Sequence, residues 1–204
     1  PMPGYQPRWK VRENNMNYLL NDLRAPEPGS AIFLEVIDKF KEVIDMTDIS
    51  TFFECGTGDT GDNAIYFSTF FKVITVDLSE QLYNKYCNRK GVNHDVQFLL
   101  GDASLALKEY LIAHPNERLL ILLDDHTGYT SFIEKELNII DTHSLRNDHI
   151  IIVDDCKYFG KGSYPTKSSF ETAVRQIRQD YIISDTGLGN DIIIIYPPLV
   201  PHGE

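Results

Sequence analysis

Three glycines and two acids near residue 55 have the spacing of a cofactor-binding loop. The run Glu54-Cys55-Gly56-Thr57-Gly58-Asp59-Thr60-Gly61 follows an apolar stretch, and a second acid, Asp77, ends the next apolar run. Glycine lets the backbone turn sharply and approach a ligand with no Cβ in the way. A carboxylate at the end of the following strand can accept hydrogen bonds from ribose hydroxyls. We therefore expect a site for an adenosine-containing cofactor.

Two pairs of acids form a second group of chemically capable residues. Asp124 and Asp125 end one apolar run, and Asp154 and Asp155 end another. If the two runs are neighbouring parallel strands, all four carboxylates meet at one edge of the sheet and repel one another unless a cation lies among them. Hard oxygen ligands suit Mg²⁺, or Ca²⁺ or Mn²⁺ in its place. The alternative is that these acids cap helices or face solvent.

Two residues beside these acids could accept a proton from a bound molecule. His126 is the first candidate, because imidazole titrates close to neutral pH; it can equally be a capping residue or support a metal ligand. Lys157 is the reserve candidate, although a lysine just past a strand is more often a solvated charge. The loop 157–165 combines aromatic residues with glycines and suits a substrate cover, with Tyr158 and Tyr164 as weak substrate candidates.

Apolar, β-branched runs alternate with helical patterns along the chain. The runs lie at 50–54, 72–77, 96–100, 119–124, 149–154, 181–185 and 191–196, and the helical patterns at 62–71, 79–90, 103–114, 131–145 and 167–180. This alternation predicts a parallel sheet covered on both faces. The last two runs are too close for a crossover helix and must pair antiparallel. The fold class is therefore α/β, with a doubly wound, mostly parallel seven-stranded sheet ending in an antiparallel hairpin.

The length of 204 residues predicts one domain, with a sheet core at 48–197 and an N-terminal helical segment at 1–47. Helices are predicted at 16–24 and 30–45. The second has an apolar stripe and packs on the sheet, whereas the first, with Tyr5–Trp9, can form a lid over the site. An apolar N-terminal helix would also suit a homodimer.

Composition narrows the partners and the compartment. The formal charge of −11 repels phosphate backbones, so nucleic acid is a poor partner for this chain. Cys55, Cys87 and Cys156 are scattered without CxxC spacing, which argues against a disulfide framework or zinc site and fits a reducing cytoplasm. The apolar runs are too short to span a bilayer, so no membrane association is expected.

Together, Glu54-Cys55-Gly56-Thr57-Gly58, Asp77 and Gly101-Asp102-Ala103 resemble class I S-adenosylmethionine-dependent methyltransferases, over about residues 48–197. The resemblance implies a Rossmann-like methyltransferase fold. It implies that Glu54, Gly56 and Gly58 line the methionine end of the cofactor, that Asp77 holds the ribose and that Asp102 lies at the adenine. The full set of implied cofactor contacts is Glu54, Gly56, Thr57, Gly58, Gly61, Asp77, Leu78, Asp102, Ala103 and Asp124.

A narrower resemblance rests on Leu123-Asp124-Asp125-His126, Glu134-x-Glu136-Leu137-x-x-Ile140 and Ile152-Val153-Asp154-Asp155. These runs look like metal-dependent O-methyltransferases of the catechol and macrolide-sugar types. The implied metal ligands are Asp154, Asp155 and one of Asp124 or Asp125, with Asp124 favoured. The catechol type places a basic lysine three residues after the strand-four acid, and that lysine is absent here. The macrolide-sugar type uses a histidine near its metal, which points to His126.

The expected function is methyl transfer from S-adenosylmethionine to a hydroxyl of a small molecule (sugar, phenol or polyketide), assisted by Mg²⁺ or another divalent cation. One alternative is an NAD(P)-dependent oxidoreductase or epimerase, since Gly56-x-Gly58-x-x-Gly61 also satisfies the dinucleotide fingerprint. Such an enzyme would lack a second domain for its substrate. A non-catalytic cofactor-binding protein and a methyltransferase of basic peptides are further alternatives.

Overall fold

The structure, a computed structural model, describes residues 48–58, 61–68, 70–87, 95–185 and 191–198. The helices predicted at 16–24 and 30–45 and the Tyr5–Trp9 lid lie outside these described residues. The strands are β1 (Thr51–Cys55), β2 (Lys72–Asp77), β3 (Val96–Leu100), β4 (Leu119–Leu123), β5 (His126–Thr127), β6 (Thr130–Ser131), β7 (Ile150–Val153), β8 (Ile182–Asp185) and β9 (Ile193–Tyr196). The helices are α1 (Asp62–Phe67), α2 (Glu80–Cys87), α3 (Ala103–Ala113), α4 (Ile133–His143) and α5 (Lys167–Ile177).

Seven strands form one sheet in the order β3-β2-β1-β4-β7-β9-β8. Strands β3, β2, β1, β4 and β7 are parallel, and β9 pairs antiparallel with both β7 and β8. Cys55 lies level with Leu123, and Leu123 lies level with Val153, so the carboxyl ends of β1, β4 and β7 meet at one edge. The predicted fold class is confirmed. The strand order reverses between β1 and β4, which is where ligands bind in doubly wound sheets.

The three central strands are buried on both faces. Every residue of β1, β4 and β7 is buried, and alternate residues of each strand contribute to opposite cores. On one face Phe53 and Ile121 pack with Leu107, Leu137 and Phe170 of α3, α4 and α5. On the other face the Phe52 ring stacks on Phe67 of α1 at 4.1 Å. Burial of each such side chain stabilises by about 1.5–3 kcal/mol, so the sheet is a firm base for the loops at its edge.

The sequence prediction missed one element, the short hairpin of β5 and β6. His126 pairs with Ser131 and Thr127 with Thr130, and Gly128 (φ +61°) forms part of the turn between them. Strands of two residues are too short to show a hydrophobic period. Pairing of Thr130 and Ser131 also explains why α4 begins at Ile133, two residues after its predicted start. Within the described ranges, no helix combines the length and the apolar character needed to cross a membrane.

The chain leaving β1 passes very close to the chain leaving β4. The Gly56 N–H donates to the Val76 carbonyl (3.0 Å), and the Asp124 N–H donates to the Cys55 carbonyl (3.0 Å). Gly56 has φ +92°, and a Cβ there would lie 2.5 Å from the Asp124 carbonyl oxygen. Gly58 has φ +65°, but a Cβ there would meet no atom of the described residues within 4 Å. The first glycine is thus required for packing, whereas no packing contact among the described residues requires the second.

Gly56→Ala is expected to lower the free energy of unfolding by roughly 3 kcal/mol or more, because strain at positive φ adds to a clash with backbone. Gly58→Ala is the matched control and should cost about 1–2 kcal/mol, since only the backbone strain applies there. Urea unfolding of the two variants measures both losses. Equal losses would contradict the close approach at Gly56.

Candidate active site

Residues predicted for the site follow the carboxyl ends of five parallel strands. They are Glu54, Gly56, Thr57, Gly58 and Gly61 at and after β1, Asp77 and Leu78 at the end of β2, Asp102 and Ala103 after β3, Asp124, Asp125 and His126 after β4, and Asp154, Asp155 and Lys157 after β7. Because these ends share one edge of the sheet, the structure brings all these segments to the same side of the molecule.

Glu54 is fully buried beneath the glycine loop. Thr75 donates its hydroxyl to Oε2 of Glu54 (2.5 Å), and the Thr75 and Thr57 hydroxyls lie 2.7 Å apart. Oε1 of Glu54 makes no hydrogen bond of standard geometry among the described residues, although the Asn63 side chain lies close enough to lower the pKa of this carboxyl. Burial raises the pKa of Glu54 to about 8, although the Thr75 hydrogen bond opposes this. A buried carboxyl with an unused oxygen is suited to a ligand that donates a hydrogen bond.

Gly61, predicted as a cofactor contact, is also needed for packing. A Cβ at Gly61 would lie 2.8 Å from the ring of Tyr86. The Tyr86 hydroxyl in turn donates to the Gly58 carbonyl (3.2 Å). The ring therefore supports the glycine loop from below, and only glycine at position 61 leaves room for it.

Asp77 and Leu78 present a carboxylate and an apolar side chain next to each other. Oδ1 of Asp77 accepts a hydrogen bond from the Ser79 N–H (2.8 Å), which orients the half-buried carboxylate. Leu78 is 58% exposed, which is unusual for a leucine at the edge of a core. Together they offer hydrogen-bond acceptors and a flat apolar contact, as a nucleoside would need.

Asp102 caps helix α3 and pairs with a lysine of α4. Its Oδ1 accepts from the Leu105 N–H (3.0 Å), and its Oδ2 lies 3.0 Å from Nζ of Lys135. Partial burial opposes ionisation, but the hydrogen bonds from Lys135 and Leu105 outweigh it and hold the pKa of Asp102 low. The neighbouring Ala103 is buried in the core, so any contact of Ala103 with a ligand must come from its backbone.

Asp124 and Asp125 face different neighbours, which the sequence alone left open. Burial raises the pKa of Asp124 well above its ordinary value, and the charges of Asp154 and Glu54 raise it further. Burial also raises the pKa of Asp125, but there the next contributions come from Asp77 and Asp102. Asp124 therefore interacts with the acids after β7, whereas Asp125 interacts with those after β2 and β3.

Four acids, Asp124, Asp154, Asp155 and Asp191, make up what we call the carboxylate cluster. Among the described residues they form two overlapping groups with donor atoms within 4.8 Å of one another: Asp124, His126 and Asp155, and Asp154, Asp155 and Asp191. Nε2 of His126 lies 3.1 Å from Oδ2 of Asp155. Burial raises the pKa of Asp154 to about 6. The predicted ligands Asp124, Asp154 and Asp155 are thus brought together through Asp155, which both groups share.

Lys157 inserts a positive charge into this cluster. Its Nζ lies 2.6 Å from Oδ2 of Asp191 and 3.2 Å from Oδ1 of Asp155. The hydrogen bond to Asp191, followed by that to Asp155, raises the pKa of Lys157 above its ordinary value. An ammonium held in this way keeps its proton, which counts against Lys157 as the catalytic base. Asp191 was missed from the sequence; it precedes β9, whose antiparallel direction places its start at the same edge.

An aromatic wall borders the cluster. The Tyr158 ring lies 5.7 Å from that of Tyr129 and 5.6 Å from that of Tyr164. The Ser163 N–H donates to the Tyr129 carbonyl (3.1 Å), which joins the loop 157–165 to the β5–β6 hairpin. Tyr164 is 5% exposed, and its hydroxyl has no hydrogen-bond partner among the described residues. This wall is an aromatic surface beside the acids.

Glu136 of α4 is a second buried carboxyl. It is fully buried, and neither carboxylate oxygen makes a hydrogen bond of standard geometry in the described part of the chain, although the Cys55 thiol lies close enough to lower the pKa of Glu136. Burial raises the pKa of Glu136 to about 8, and the charge of Asp125 raises it further. In the sequence Glu136 is one acid in an ordinary helical pattern, so nothing there signals its burial.

No protein-family model matches this sequence, and no curated protein matches it. Solved structures do match. A proposed caffeoyl-CoA O-methyltransferase from Staphylococcus aureus is 15% identical, with a TM-score of 0.53 over 95% of this chain and 93% of that one. A proposed methyltransferase, yhhF, from Escherichia coli is 12% identical, with a TM-score of 0.56 over 85% and 89% of the two chains.

A third match is the 1,6-didemethyltoxoflavin-N1-methyltransferase of Burkholderia thailandensis, crystallised with 1,6-didemethyltoxoflavin and S-adenosylhomocysteine. It is 13% identical, with a TM-score of 0.52 over 97% of this chain and 93% of that one. Likeness at these identities establishes a shared fold, so this chain has the fold of these methyltransferases. The narrower resemblance to metal-dependent O-methyltransferases stays a prediction.

Glu136→Gln is expected to stabilise the protein more at alkaline than at acidic pH. The unfolded carboxyl loses its proton near pH 4.5, whereas the folded one keeps it up to about pH 8. The native state alone holds this proton between those values, so this group's contribution to stability falls as pH rises through the window. The variant cannot ionise, so its melting temperature should exceed that of the wild type at about pH 8.5 and nearly equal it at about pH 5.

Glu134→Gln is the matched control, because Glu134 is exposed on the same helix. Its effect on the melting temperature should be the same at both pH values. A Glu136→Gln variant with an equally constant effect would contradict the buried, protonated state of Glu136.

Proposed function

We propose that this chain transfers a methyl group from S-adenosylmethionine to a hydroxyl of a small molecule, with help from a divalent cation such as Mg²⁺. The observation that carries the proposal is the glycine loop after β1. It is held in left-handed geometry at the switch point of the sheet, and no described residue would contact a Cβ at Gly58 there. The structures with this fold described above are methyltransferases, which disfavours the NAD(P)-dependent alternative.

The residues around the glycine loop fit a sulfonium compound that contains adenosine. Cβ atoms at Gly58 and Gly101 would meet no atom of the described residues within 4 Å, so the described part of the chain leaves room for a ligand against the backbone at both positions. Leu78 offers an exposed apolar contact for a base, and Glu54 keeps a carboxyl oxygen without a partner for an ammonium donor. When bound, S-adenosylmethionine supplies an electrophilic methyl group.

Each of the proposed cofactor contacts has a defined task. Asp77, oriented by the Ser79 N–H, accepts hydrogen bonds from the ribose hydroxyls. Asp102 is fixed as the cap of α3 and offers its charge beside the adenine. Thr57 and Thr75 connect the glycine loop to Glu54 through hydroxyl contacts, so the loop is preorganised. The main role of these residues is to align the acceptor oxygen with the methyl group and the sulfur of the cofactor.

His126 is the proposed base for the acceptor hydroxyl. Its imidazole is exposed at the mouth of the site, and the contact of Nε2 with Oδ2 of Asp155 orients the ring. A positioned base of this kind contributes about 10²–10⁴-fold to a rate. Tyr129 and Tyr158 form the wall against which the acceptor would lie. The net charge of −11 favours a small acceptor over nucleic acid.

A divalent cation fits the donor set of the carboxylate cluster. Asp124 and Asp155, with Asp154 adjoining, offer carboxylate oxygens of the type that Mg²⁺ and Mn²⁺ prefer. Burial, and after it the charges of the neighbouring acids, raises the pKa of Asp124, and a bound positive charge would oppose both effects. There a divalent cation would lower the pKa of the acceptor hydroxyl.

Asp77→Ala is expected to abolish binding of S-adenosylhomocysteine, because the ribose loses its acceptor. In the wild type a saturating ligand, at about a hundred times its dissociation constant, adds about 2.7 kcal/mol and raises the melting temperature by roughly 5–10 °C. A thermal-shift titration with S-adenosylmethionine, S-adenosylhomocysteine and NADH measures this.

Asp95→Ala is the matched control, since Asp95 is an exposed aspartate just before β3, at the opposite edge of the sheet. It should keep the full shift. A shift of the wild type with NADH alone, or with none of the three ligands, would overturn the proposed cofactor.

His126→Gln is expected to lower kcat by about 10²-fold or more while leaving the affinity for S-adenosylhomocysteine unchanged, because only the proton acceptor is lost. The measurement is methyl transfer to the best acceptor found among hydroxylated sugars, phenols and polyketides. His143→Gln, at the far end of α4, is the control and should keep full activity. Unchanged kcat in the His126 variant would exclude this histidine as the base.

A further inference from the structure

The ammonium of Lys157 lies inside the carboxylate cluster, where a metal ion was expected. It contacts Asp191 (2.6 Å) and Asp155 (3.2 Å), two of the three acids in the second group of the cluster. Among the described residues, the ion pairs seen for these two acids are those with Lys157 and the contact of His126 with Asp155. The all-oxygen group of Asp154, Asp155 and Asp191 thus already has a positive charge.

The backbone fixes Lys157 in this position. Asp155 takes a left-handed conformation (φ +59°) at the end of β7, and a 3-10 turn over Cys156–Tyr158 follows. The Cys156 N–H donates to the Asp191 carbonyl (2.8 Å), which ties the turn to the start of β9. The Lys157 ammonium also lies 5.1 Å from the centre of the Tyr158 ring. The turn after β7 and its hydrogen bond to Asp191 therefore direct the Lys157 side chain to the cluster.

Asp155 divides its two oxygens between the two groups of the cluster. Oδ1 faces Lys157 (3.2 Å), and Oδ2 faces His126 (3.1 Å). A divalent ion at Asp124 and Asp155 would therefore share one carboxylate with the lysine. Two cations on one carboxylate repel each other, so each weakens the binding of the other.

Tyr164 independently indicates that the cluster receives a ligand. Its side chain is 5% exposed, and its hydroxyl makes no hydrogen bond of standard geometry in the described ranges. Burial raises the pKa of Tyr164, and the charges of Asp155 and Asp124, with a side-chain contact to Asp155, raise it further, so the hydroxyl lies beside the cluster. A buried hydroxyl is rarely left without a partner. A ligand of the cluster, or water bound with it, would supply one.

We propose that Lys157 is a tethered cation. Its ammonium takes the place of an ion in the group of Asp154, Asp155 and Asp191, and it competes for Asp155 with the divalent ion bound at Asp124 and Asp155. The inference rests on the divalent ion of the proposed function. The ammonium offsets part of the negative charge of the cluster, so the protein can fold before any ion binds. The same charge lowers the affinity of the cluster for Mg²⁺ or Mn²⁺. Lys157 acts on the reaction through the ion, and not as a base.

Lys157→Met is the test, because methionine keeps much of the length and apolar contact of the side chain and removes the charge. We expect the variant to melt at a lower temperature than the wild type without divalent ions, because Asp155 and Asp191 lose their counter-ion. Mg²⁺ or Mn²⁺ should restore the loss, and the affinity of the variant for Mn²⁺ should exceed that of the wild type by about tenfold or more. Thermal shift and calorimetric titration with each ion alone measure these effects.

Two variants serve as controls. Lys157→Arg keeps the charge and should respond to ions as the wild type does. Lys161→Met removes a lysine that lies over the same Tyr158 ring (5.4 Å) and should leave ion binding unchanged. Equal ion affinity in the wild type and Lys157→Met overturns the proposal, and so does the absence of any ion response in Lys157→Met. If Lys157→Met fails to fold without ions but folds when Mn²⁺ is added, the competition is supported.

Binding of S-adenosylhomocysteine to the same samples separates this inference from the proposed function. A retained shift with that ligand and no ion response in Lys157→Met leaves the cofactor proposal standing and removes the tethered cation. An ion response that strengthens in Lys157→Met, with no shift from S-adenosylhomocysteine in any sample, supports the tethered cation and removes the cofactor.

Discussion

The close approach of Gly56 to the backbone of Asp124 is the constraint on which the edge of the sheet depends. It is permitted only because position 56 has no Cβ and adopts a positive φ. This contact brings the glycine loop after β1 and the acids after β4 together. Burial raises the pKa of Asp124, and Asp154 and then Glu54 are the acids whose negative charge would raise it further. The proposed cofactor loop and the carboxylate cluster are therefore one electrostatic unit and not two neighbouring sites.

The region around that unit holds more buried acids and more unpaired polar atoms than stability alone would favour. Glu54 and Glu136 are both fully buried with carboxyl oxygens that lack partners in the described part of the chain. Tyr164 adds a buried hydroxyl of the same kind. Unpaired buried polar groups destabilise a folded protein by about 1–3 kcal/mol each. All three residues lie near the carboxyl edge of the sheet, where a ligand could supply the missing partners.

Much of the fold was predictable because the signals were local. The uninterrupted apolar runs of β4 and β7 predict strands buried on both faces, and the short link before β9 forces an antiparallel ending. Acids that end such strands must share an edge, which gave Asp124, Asp154 and Asp155. The β5–β6 hairpin escaped because two-residue strands have no period. Asp191 escaped because its place depends on the direction of β9, and Glu136 because burial of one helical acid leaves no pattern.

The sequence by itself determined the order of strands and helices, the glycine loop and which acids reach the carboxyl edge, since each follows from periodicity or chain connection over a few residues. Only the tertiary structure decided how those groups pair. It assigned Asp124 to the β7 acids and Asp125 to the β2 and β3 acids, and it placed Lys157 between Asp155 and Asp191. Pairing depends on distances of a few ångströms between residues far apart in the chain, and Coulomb interactions at that range change with every ångström.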